Sequence, residues 1–285
     1  MPAGASTDSV ARVMAEHIGK TQGVTVVVEN RPGASGMIGT EFVSHAAPDG
    51  NTLLMTANTY LIDAQTRKAN YHPVTAFDPI CLLVDTPAVF TVNSSSPYKT
   101  LSELLDAAPA NPGAMSMGSV GPGSTFQFGF LNFTRMAKVD MTFVPFAGSG
   151  PAVTALLGNH ITSAFSGIAA AGPQVRANKL RALAVATAKR IEALPDVPTF
   201  DELGFKGTDV DVWFGAVAPA GTPKEILAQL NTWFSEALKA PEVKAKFAAQ
   251  QLYPVGTCGG DFGVVIRKAY DEYGRMISQA GLKKE

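Results

Sequence analysis

The sequence has few charged residues, and its charges are balanced in sign. Only 16% of the 285 residues are Asp, Glu, Lys or Arg, against about 25% in an average soluble protein. The 23 basic and 24 acidic side chains nearly cancel. Such a chain has no long-range field that would attract nucleic acid or an anionic membrane surface, so neither partner is expected.

Cysteine and metal-binding patterns are also scarce. Cys81 and Cys258 are far apart and belong to no Cys-x-x-Cys motif, which excludes a cysteine-ligated zinc site and a disulfide-rich scaffold. We interpret the pair as two buried thiols. The histidines match no metal-ligand spacing, so no metal site is expected. They are His17, His45, His72 and His160.

Several other signatures are missing. No apolar run approaches the roughly 18 residues of a membrane span, and no leader with a charged and then an apolar region begins the sequence. Read literally, this predicts a soluble chain without a targeting segment. Neither the GxxxxGK[ST] phosphate loop nor the GxSxG hydrolase elbow occurs.

What is present is a globular, loop-rich pattern with 46% hydrophobic residues, 27 glycines and 19 prolines. Short apolar strands alternate with helical stretches, which predicts an α/β fold of βαβ units on mostly parallel sheets. The predicted strands cover residues 25–29, 52–56, 80–84 and 89–92. Two loops, 93–97 and 218–221, resemble crossings between lobes. They predict a first lobe of residues 1–95 plus 219–285 and a second lobe of residues 96–218.

Glycine-rich segments lead into helical patterns at several places. Residues 33–39 follow a predicted strand, but their GxxGxxG spacing departs from the dinucleotide motif, and we interpret them as a close helix contact. Residues 2–8 and 118–125 combine glycines with hydroxyls at a helix start, and residues 145–150 repeat the pattern. A helix N-terminus offers free N–H groups and partial positive charge. These segments are therefore either an anion-binding cradle or simple N-caps.

Ordered motifs then run along the whole chain. They include Pro-Ala-Gly at 2–4, Val-Glu-Asn-Arg-Pro-Gly-Ala at 28–34, Pro-Asp-Gly-Asn-Thr-Leu-Leu at 48–54, Leu-Pro-Asp-Val-Pro-Thr at 194–199 and Trp-Phe-Gly at 213–215. In these motifs the chain resembles the substrate-binding proteins of tripartite tricarboxylate transporters, the Bug family of periplasmic solute receptors.

The resemblance implies a two-lobed Venus-flytrap fold of the periplasmic-binding-protein type, with the ligand cleft between the lobes. It implies a periplasmic, monomeric receptor that captures a small carboxylate, aromatic or dicarboxylic, and delivers it to membrane transporter subunits. Neither catalysis nor a cofactor is expected. Family members hold the ligand carboxylate with backbone N–H groups and hydroxyls, which agrees with the cradle interpretation.

The resemblance also implies a set of ligand-binding residues. Ser124 and Thr125 are expected to donate to the carboxylate, and Phe126 and Phe146 to flank the ligand body. The full set is Ala3, Gly4, Ala5, Ser6, Asp8, Thr56, Asn58, Ser119, Gly123, Ser124, Thr125, Phe126, Phe146, Ala147, Gly148, Ser149, Phe165 and Ser166.

Two other functions stay open at this point. One is an α/β enzyme whose glycine loops hold a phosphate-bearing cofactor, with Asp8 or His17 as the acid or base. The other is a cytoplasmic ligand sensor. No nucleophile with a base and no paired carboxylates can be assembled from the motifs, so a binding protein is the leading prediction.

Overall fold

The computed structural model describes residues 5–108, 113–121, 124–187, 189–206, 208 and 212–279. The chain divides into two compact units. Unit 1 consists of Met1–Asp85 and Trp213–Glu285, and unit 2 of Thr86–Val212. No helix in the described ranges is long and apolar enough to cross a bilayer.

Unit 1 is built on a four-stranded sheet with the order β1-β8-β2-β9. Strand β1 is antiparallel to β8, and β2 is antiparallel to β9. The strands are β1 Leu54–Ala57, β2 Phe77–Thr86, β8 Val212–Pro219 and β9 Tyr253–Cys258. The helices are α1 Ser6–Gln22, α2 Met37–Ser44 after a short 3₁₀ turn at Ala34–Gly36, α3 Thr59–Thr66, α8 Lys224–Lys239, α9 Pro241–Ala249 and α10 Gly260–Gln279.

The core of unit 1 forms where apolar helix faces cover this sheet. Helix α8 buries Leu230, Phe234 and Leu238 at helical spacing. The Phe262 ring of α10 lies directly on β8 at Gly215, where a Cβ would be only 2.6 Å from the ring carbon Cζ. The sheet therefore needs glycine at this position to bring α10 close.

Unit 2 is built on a five-stranded sheet with the order β5-β4-β6-β3-β7. Strand β4 is parallel to β5 and β6, whereas β3 is antiparallel to β6 and β7. The strands are β3 Ala88–Asn93, β4 Ser116–Val120, β5 Thr142–Phe146, β6 Ser163–Gly167 and β7 Leu180–Val185. The helices are α4 Leu101–Ala107, α5 Thr125–Ala137, α6 Ser149–Leu157 and α7 Ile168–Arg176.

Phenylalanines dominate the core of unit 2. Phe90 of β3 contacts Phe133 of α5, Phe165 of β6 and Phe200, with ring centroids 5.6 to 6.2 Å apart. Aromatic pairs at these separations add to the gain from burial. They fix α5, and with it the N-terminus of that helix, against the sheet.

The predicted α/β fold is confirmed, but the sheets are mixed rather than mostly parallel. Strand β3 is antiparallel to β6 and β7, β8 is antiparallel to β1, and β9 is antiparallel to β2. The same pairings move the unit boundaries to Asp85/Thr86 and Val212/Trp213, in place of 95 and 218. The reason is that β3 belongs to the sheet of unit 2 and β8 to the sheet of unit 1. The loop sequences next to these two strands did not indicate which sheet each strand would join.

The predicted strand over residues 25–29 does not form. Residues 24–28 read Val-Thr-Val-Val-Val, a run of β-branched residues that favours a strand. A strand also needs a neighbour for its backbone hydrogen bonds. Within the described ranges, no strand pairs with this segment.

The interpretation of Cys81 and Cys258 as free thiols is wrong. The two residues lie opposite each other in the β2–β9 pair, with their Cα atoms 3.9 Å apart, and form a disulfide. Sequence spacing carried no sign of this bond, because β2 and β9 become neighbours only through the long-range topology of unit 1.

Candidate functional site

The connections of the unit 2 sheet diverge between β4 and β6, which are adjacent and parallel. Helix α5 leads from β4 towards one edge of the sheet, where β5 lies. Helix α7 leads from β6 towards the opposite edge, where β7 lies. In open α/β sheets, ligands bind outside the carboxyl ends of strands at such a switch point. The topology therefore places a candidate site at the ends of β4 and β6.

Hydrogen bonds join the loops that leave β4, β5 and β6. The Ser119 hydroxyl donates to the Phe165 carbonyl on β6. The Gly121 N–H donates to the Phe146 carbonyl at 3.0 Å. The Gly167 N–H donates to the Ser149 hydroxyl oxygen at 3.2 Å. The three loops thus form one connected surface, in which Ser119 and Ser149 have structural roles.

Ser124 is the N-cap of α5. Its hydroxyl donates to the Val120 carbonyl at 2.9 Å and accepts from the Gln127 N–H at 3.2 Å. The hydroxyl proton is therefore already used inside the protein. This arrangement corresponds to the capping alternative and not to the expected donation by Ser124 to a ligand.

Ser124→Ala should therefore act on stability more than on binding. Loss of a serine cap costs about 1 kcal/mol of folding free energy. We expect the urea midpoint to fall accordingly, while calorimetry with a bound organic acid gives an affinity within about threefold of the parent. A fall in affinity of more than tenfold would return Ser124 to the set of ligand donors.

Two other hydroxyls of this region have no partner among the described residues: those of Thr125 and Ser166. Thr125 is the first residue of α5 and is 1% exposed, and Ser166 precedes the end of β6 and is 0% exposed. A buried donor without a partner costs about 1 to 3 kcal/mol, and such groups are rare. Thr125 lies at the positive end of the α5 dipole, and Ser166 lies near the carboxyl end of β6, the other strand at the switch point.

The aromatic residues of the expected site pack in or against the core of unit 2, where Phe146 is half-buried. Phe126 and Phe165 are both buried and meet edge to face, with centroids 5.9 Å apart. Phe146 packs on β4 at Gly118, where a Cβ would lie 2.8 Å from the ring carbon Cε2. These positions do not support the expected contact of the rings with a ligand body.

Three small residues of the expected site remain. Ala147 is exposed and Gly148 is half-buried before α6. Gly123 lies outside the described residues.

In unit 1, Asp8 connects helix α1 to the segment that follows it. Its carboxylate accepts from the Arg12 guanidinium at 3.0 Å and from the Asn30 amide at 2.9 Å. Ala5 is the N-cap residue of α1 without a side-chain cap, and Ser6 begins the helix. The expected residues Ala3 and Gly4 lie outside the described ranges.

Thr56 lies within strand β1, Asn58 follows directly after it, and both are buried. The Thr56 hydroxyl donates to the Ala57 carbonyl at 3.3 Å. The Asn58 N–H donates to the Trp213 carbonyl at 3.2 Å, and its amide nitrogen donates to the Tyr273 hydroxyl at 3.0 Å. Asn58 thereby connects β1, the start of β8 and α10, which is a structural role within unit 1.

Burial perturbs two carboxyl groups of unit 1. Desolvation raises the pKa of Asp63 to about 6, against an opposing effect of the Arg67 charge. Desolvation also raises the pKa of Asp85 to about 6. Neither group belongs to the candidate site. In the described ranges, no three His, Cys, Asp or Glu residues are placed to hold a metal ion.

Asp63→Asn should stabilise the protein at neutral pH. Because the folded pKa is raised above the unfolded value of about 3.9, the wild-type stability contributed by this group is full below pH 4. It falls as the pH rises towards 6. We expect the variant to match the wild type at pH 4 and to exceed it at pH 7 by at most about 3 kcal/mol.

Urea denaturation at both pH values measures this difference. Asp271→Asn, the same change at an exposed position of α10, is the control and should show no such pH dependence. A variant that is less stable than the wild type at pH 7 would contradict the assignment of burial as the dominant effect.

Comparison with known proteins gives a consistent result. Residues 10–282 match the family described as tripartite tricarboxylate transporter family receptor. The protein BugT of Bordetella pertussis is 33% identical over 285 residues, which cover 99% of this chain and 87% of that protein.

Two similar solved structures contain organic acids. MatC of Rhodopseudomonas palustris with bound malate is 30% identical, with a TM-score of 0.75 and coverage of 97% of this chain and 96% of that one. An R. palustris protein with adipate is 28% identical, with a TM-score of 0.82 and coverage of 100% and 96%.

Proposed function

The chain belongs to the tripartite tricarboxylate transporter receptor family, and we propose that it is a monomeric periplasmic receptor for a small dicarboxylate. In this role it captures the acid and delivers it to the membrane subunits of a tripartite transporter. It performs no reaction on the ligand and needs no cofactor.

The observation that carries the proposal is the pair of buried hydroxyls of Thr125 and Ser166 at the switch point of unit 2, which have no partner in the part of the chain that the structure describes. A carboxylate can only accept hydrogen bonds, so it complements two donors beside a helix N-terminus. Hydrogen bonds to a charged group are worth about 1.5 to 3 kcal/mol each. We propose that one ligand carboxylate lies at these two hydroxyls and the first N–H groups of α5.

A dicarboxylate is favoured by the similar proteins, because malate and adipate each carry two carboxylates. Phe126 is buried in the core of unit 2 and Phe146 packs on β4 at Gly118, which removes the main reason to expect an aromatic acid. We therefore propose an aliphatic acid of about four to six carbons.

The disulfide supports the proposed location. Disulfides persist in oxidising compartments such as the bacterial periplasm and are rare in the cytosol of mesophiles. The Cys81–Cys258 bond therefore favours a periplasmic receptor over a cytoplasmic ligand sensor.

Isothermal titration calorimetry on the purified chain tests the function. The panel contains malate, adipate, citrate and benzoate, with ATP and NAD as probes of the enzyme alternative. We expect an aliphatic dicarboxylate to bind most tightly and, at about 100 times its Kd, to add roughly 2.7 kcal/mol of stability. Binding of a nucleotide without binding of any acid would overturn the proposal.

A further inference from the structure

The carboxyl end of β6 carries a glycine with unfilled space beside it. Apart from its chain neighbours, a Cβ atom built on Gly167 would have only two heavy atoms within 4 Å. These are Oγ1 of Thr86 at 3.8 Å and Oγ of Ser149 at 3.9 Å. The space therefore holds one heavy atom, and two hydroxyl oxygens lie beside it. We call this space the Gly167 niche.

The fold itself does not require a glycine at this position. Gly167 is the N-cap residue of α7, with φ −61° and ψ 143°, a conformation that any residue adopts. Gly215 and Gly118 differ, because a Cβ there would lie 2.6 and 2.4 Å from a neighbouring side chain. Close packing thus explains those two glycines, whereas the missing side chain of Gly167 leaves room that the ligand-free protein does not use.

Both hydroxyls beside the niche have a proton to donate. Ser149 accepts from the Gly167 N–H at 3.2 Å, and its own proton has no acceptor in the described ranges. The Thr86 hydroxyl forms no hydrogen bond with any residue that the structure describes. Thr86 and Ser149 are both half-buried, so the niche is shielded but not sealed. It therefore offers two donors to a single atom.

The niche adjoins the proposed carboxylate position. Ser166, whose buried hydroxyl has no partner among the described residues, directly precedes Gly167. Consecutive Cα atoms are only about 3.8 Å apart. A carboxylate bound at Ser166 therefore brings the substituents of its neighbouring carbon within reach of the niche. Segments 86–90, 147–154 and 164–172 contain no charged residue, so hydrogen bonds rather than ion pairs decide which group the niche accepts.

Given the proposed function, on which this step rests, we propose that the Gly167 niche receives a hydroxyl group on the ligand carbon next to the bound carboxylate. Thr86 and Ser149 are then the specificity-determining residues. An alcohol oxygen has two lone pairs, so it accepts a hydrogen bond from each of the two hydroxyls. The ligand class narrows from dicarboxylates to 2-hydroxy dicarboxylates.

Other groups complement the niche less well. A methyl substituent has the right size, but it would leave both hydroxyl protons without an acceptor in a site closed to water. A second carboxylate has three heavy atoms and exceeds the space for one. A plain methylene chain would leave the niche unfilled.

Calorimetry with succinate and with each enantiomer of malate tests the proposal, because these acids differ only in the hydroxyl. We expect the parent protein to bind one enantiomer of malate about tenfold or more tighter than succinate. In Gly167→Ala the methyl group takes the place of the ligand oxygen. In Thr86→Val one of the two donors is lost. Both variants should lose most of the preference for malate while they keep their affinity for succinate.

Gly260→Ala is the matched control. A Cβ at Gly260, the first residue of α10, would meet nothing within 4 Å, so the variant makes the same change in unit 1 and should keep the preference. Urea denaturation should show Gly167→Ala to be at least as stable as the parent, which separates lost recognition from unfolding.

Equal affinity of the parent for succinate and both malates would overturn the proposal. So would a preference for malate that survives Gly167→Ala. The carboxylate position is tested separately by Thr125→Val, which should weaken succinate and malate alike and leave their ratio unchanged. Failure of that variant to weaken either acid would overturn the carboxylate position, and absence of binding of every acid would overturn the proposed function together with the niche.

Discussion

Replacement of Thr125 by valine is expected to weaken dicarboxylate binding by about 10- to 100-fold. The change removes a hydroxyl that would donate to the ligand carboxylate, and a hydrogen bond to a charged group is worth about 1.5 to 3 kcal/mol. Valine keeps nearly the same shape. Because the hydroxyl has no partner among the described residues, its loss should leave the stability of the ligand-free protein unchanged or slightly higher.

A matched control lies on the same helix. The Thr134 hydroxyl donates to the Phe130 carbonyl at 2.9 Å, so Thr134→Val makes the same chemical change away from the switch point. Calorimetry should show full affinity for this variant. Ser166→Ala should reproduce the loss seen in Thr125→Val. Equal affinity for Thr125→Val and Thr134→Val would contradict the assigned carboxylate position.

Removal of the disulfide is expected to lower the free energy of unfolding by about 2 to 5 kcal/mol. The bond joins residues 177 positions apart, and in the chain-entropy account a longer closed loop constrains the unfolded chain more strongly. It also holds the edge strand β9 to β2. The double variant Cys81→Ser, Cys258→Ser should therefore unfold at a clearly lower urea concentration.

The wild type in dithiothreitol is the natural comparison for that variant. Its urea midpoint should fall to the value of the double variant, while the reductant should leave the double variant itself unchanged. A double variant as stable as the oxidised wild type would show that β9 is held by packing alone.

Local patterns predicted the elements that the residues of the segment itself define, whatever strand they pair with. Residues 80–84 and 89–92 do lie within β2 and β3, because apolar runs are buried wherever the strand pairs. The segment 118–125 does end a strand and begin a helix, because its glycines and hydroxyls mark that change of backbone.

Features that depend on distant residues were outside the reach of the sequence. Pairing of Cys81 with Cys258 follows from the placement of β9 beside β2. The choice between Ser124 and Thr125 as the proposed ligand donor depends on which hydroxyl already donates inside the protein, and the Ser124 hydroxyl donates to the Val120 carbonyl. Phe126 turned inward because Phe165 forms an aromatic contact in the core. The unpaired run at 24–28 shows that strand propensity without a neighbour does not make a strand.

The proposed function requires a ligand carboxylate at the ends of β4 and β6. A crystal structure of the protein grown with adipate or malate tests it most directly. We expect one carboxylate within about 2.5 to 3.2 Å of the hydroxyl oxygens of Thr125 and Ser166, with the α5 N-terminus pointing at it. A structure in which the acid is bound elsewhere, and both hydroxyls remain without a partner, would rule out the proposed carboxylate site.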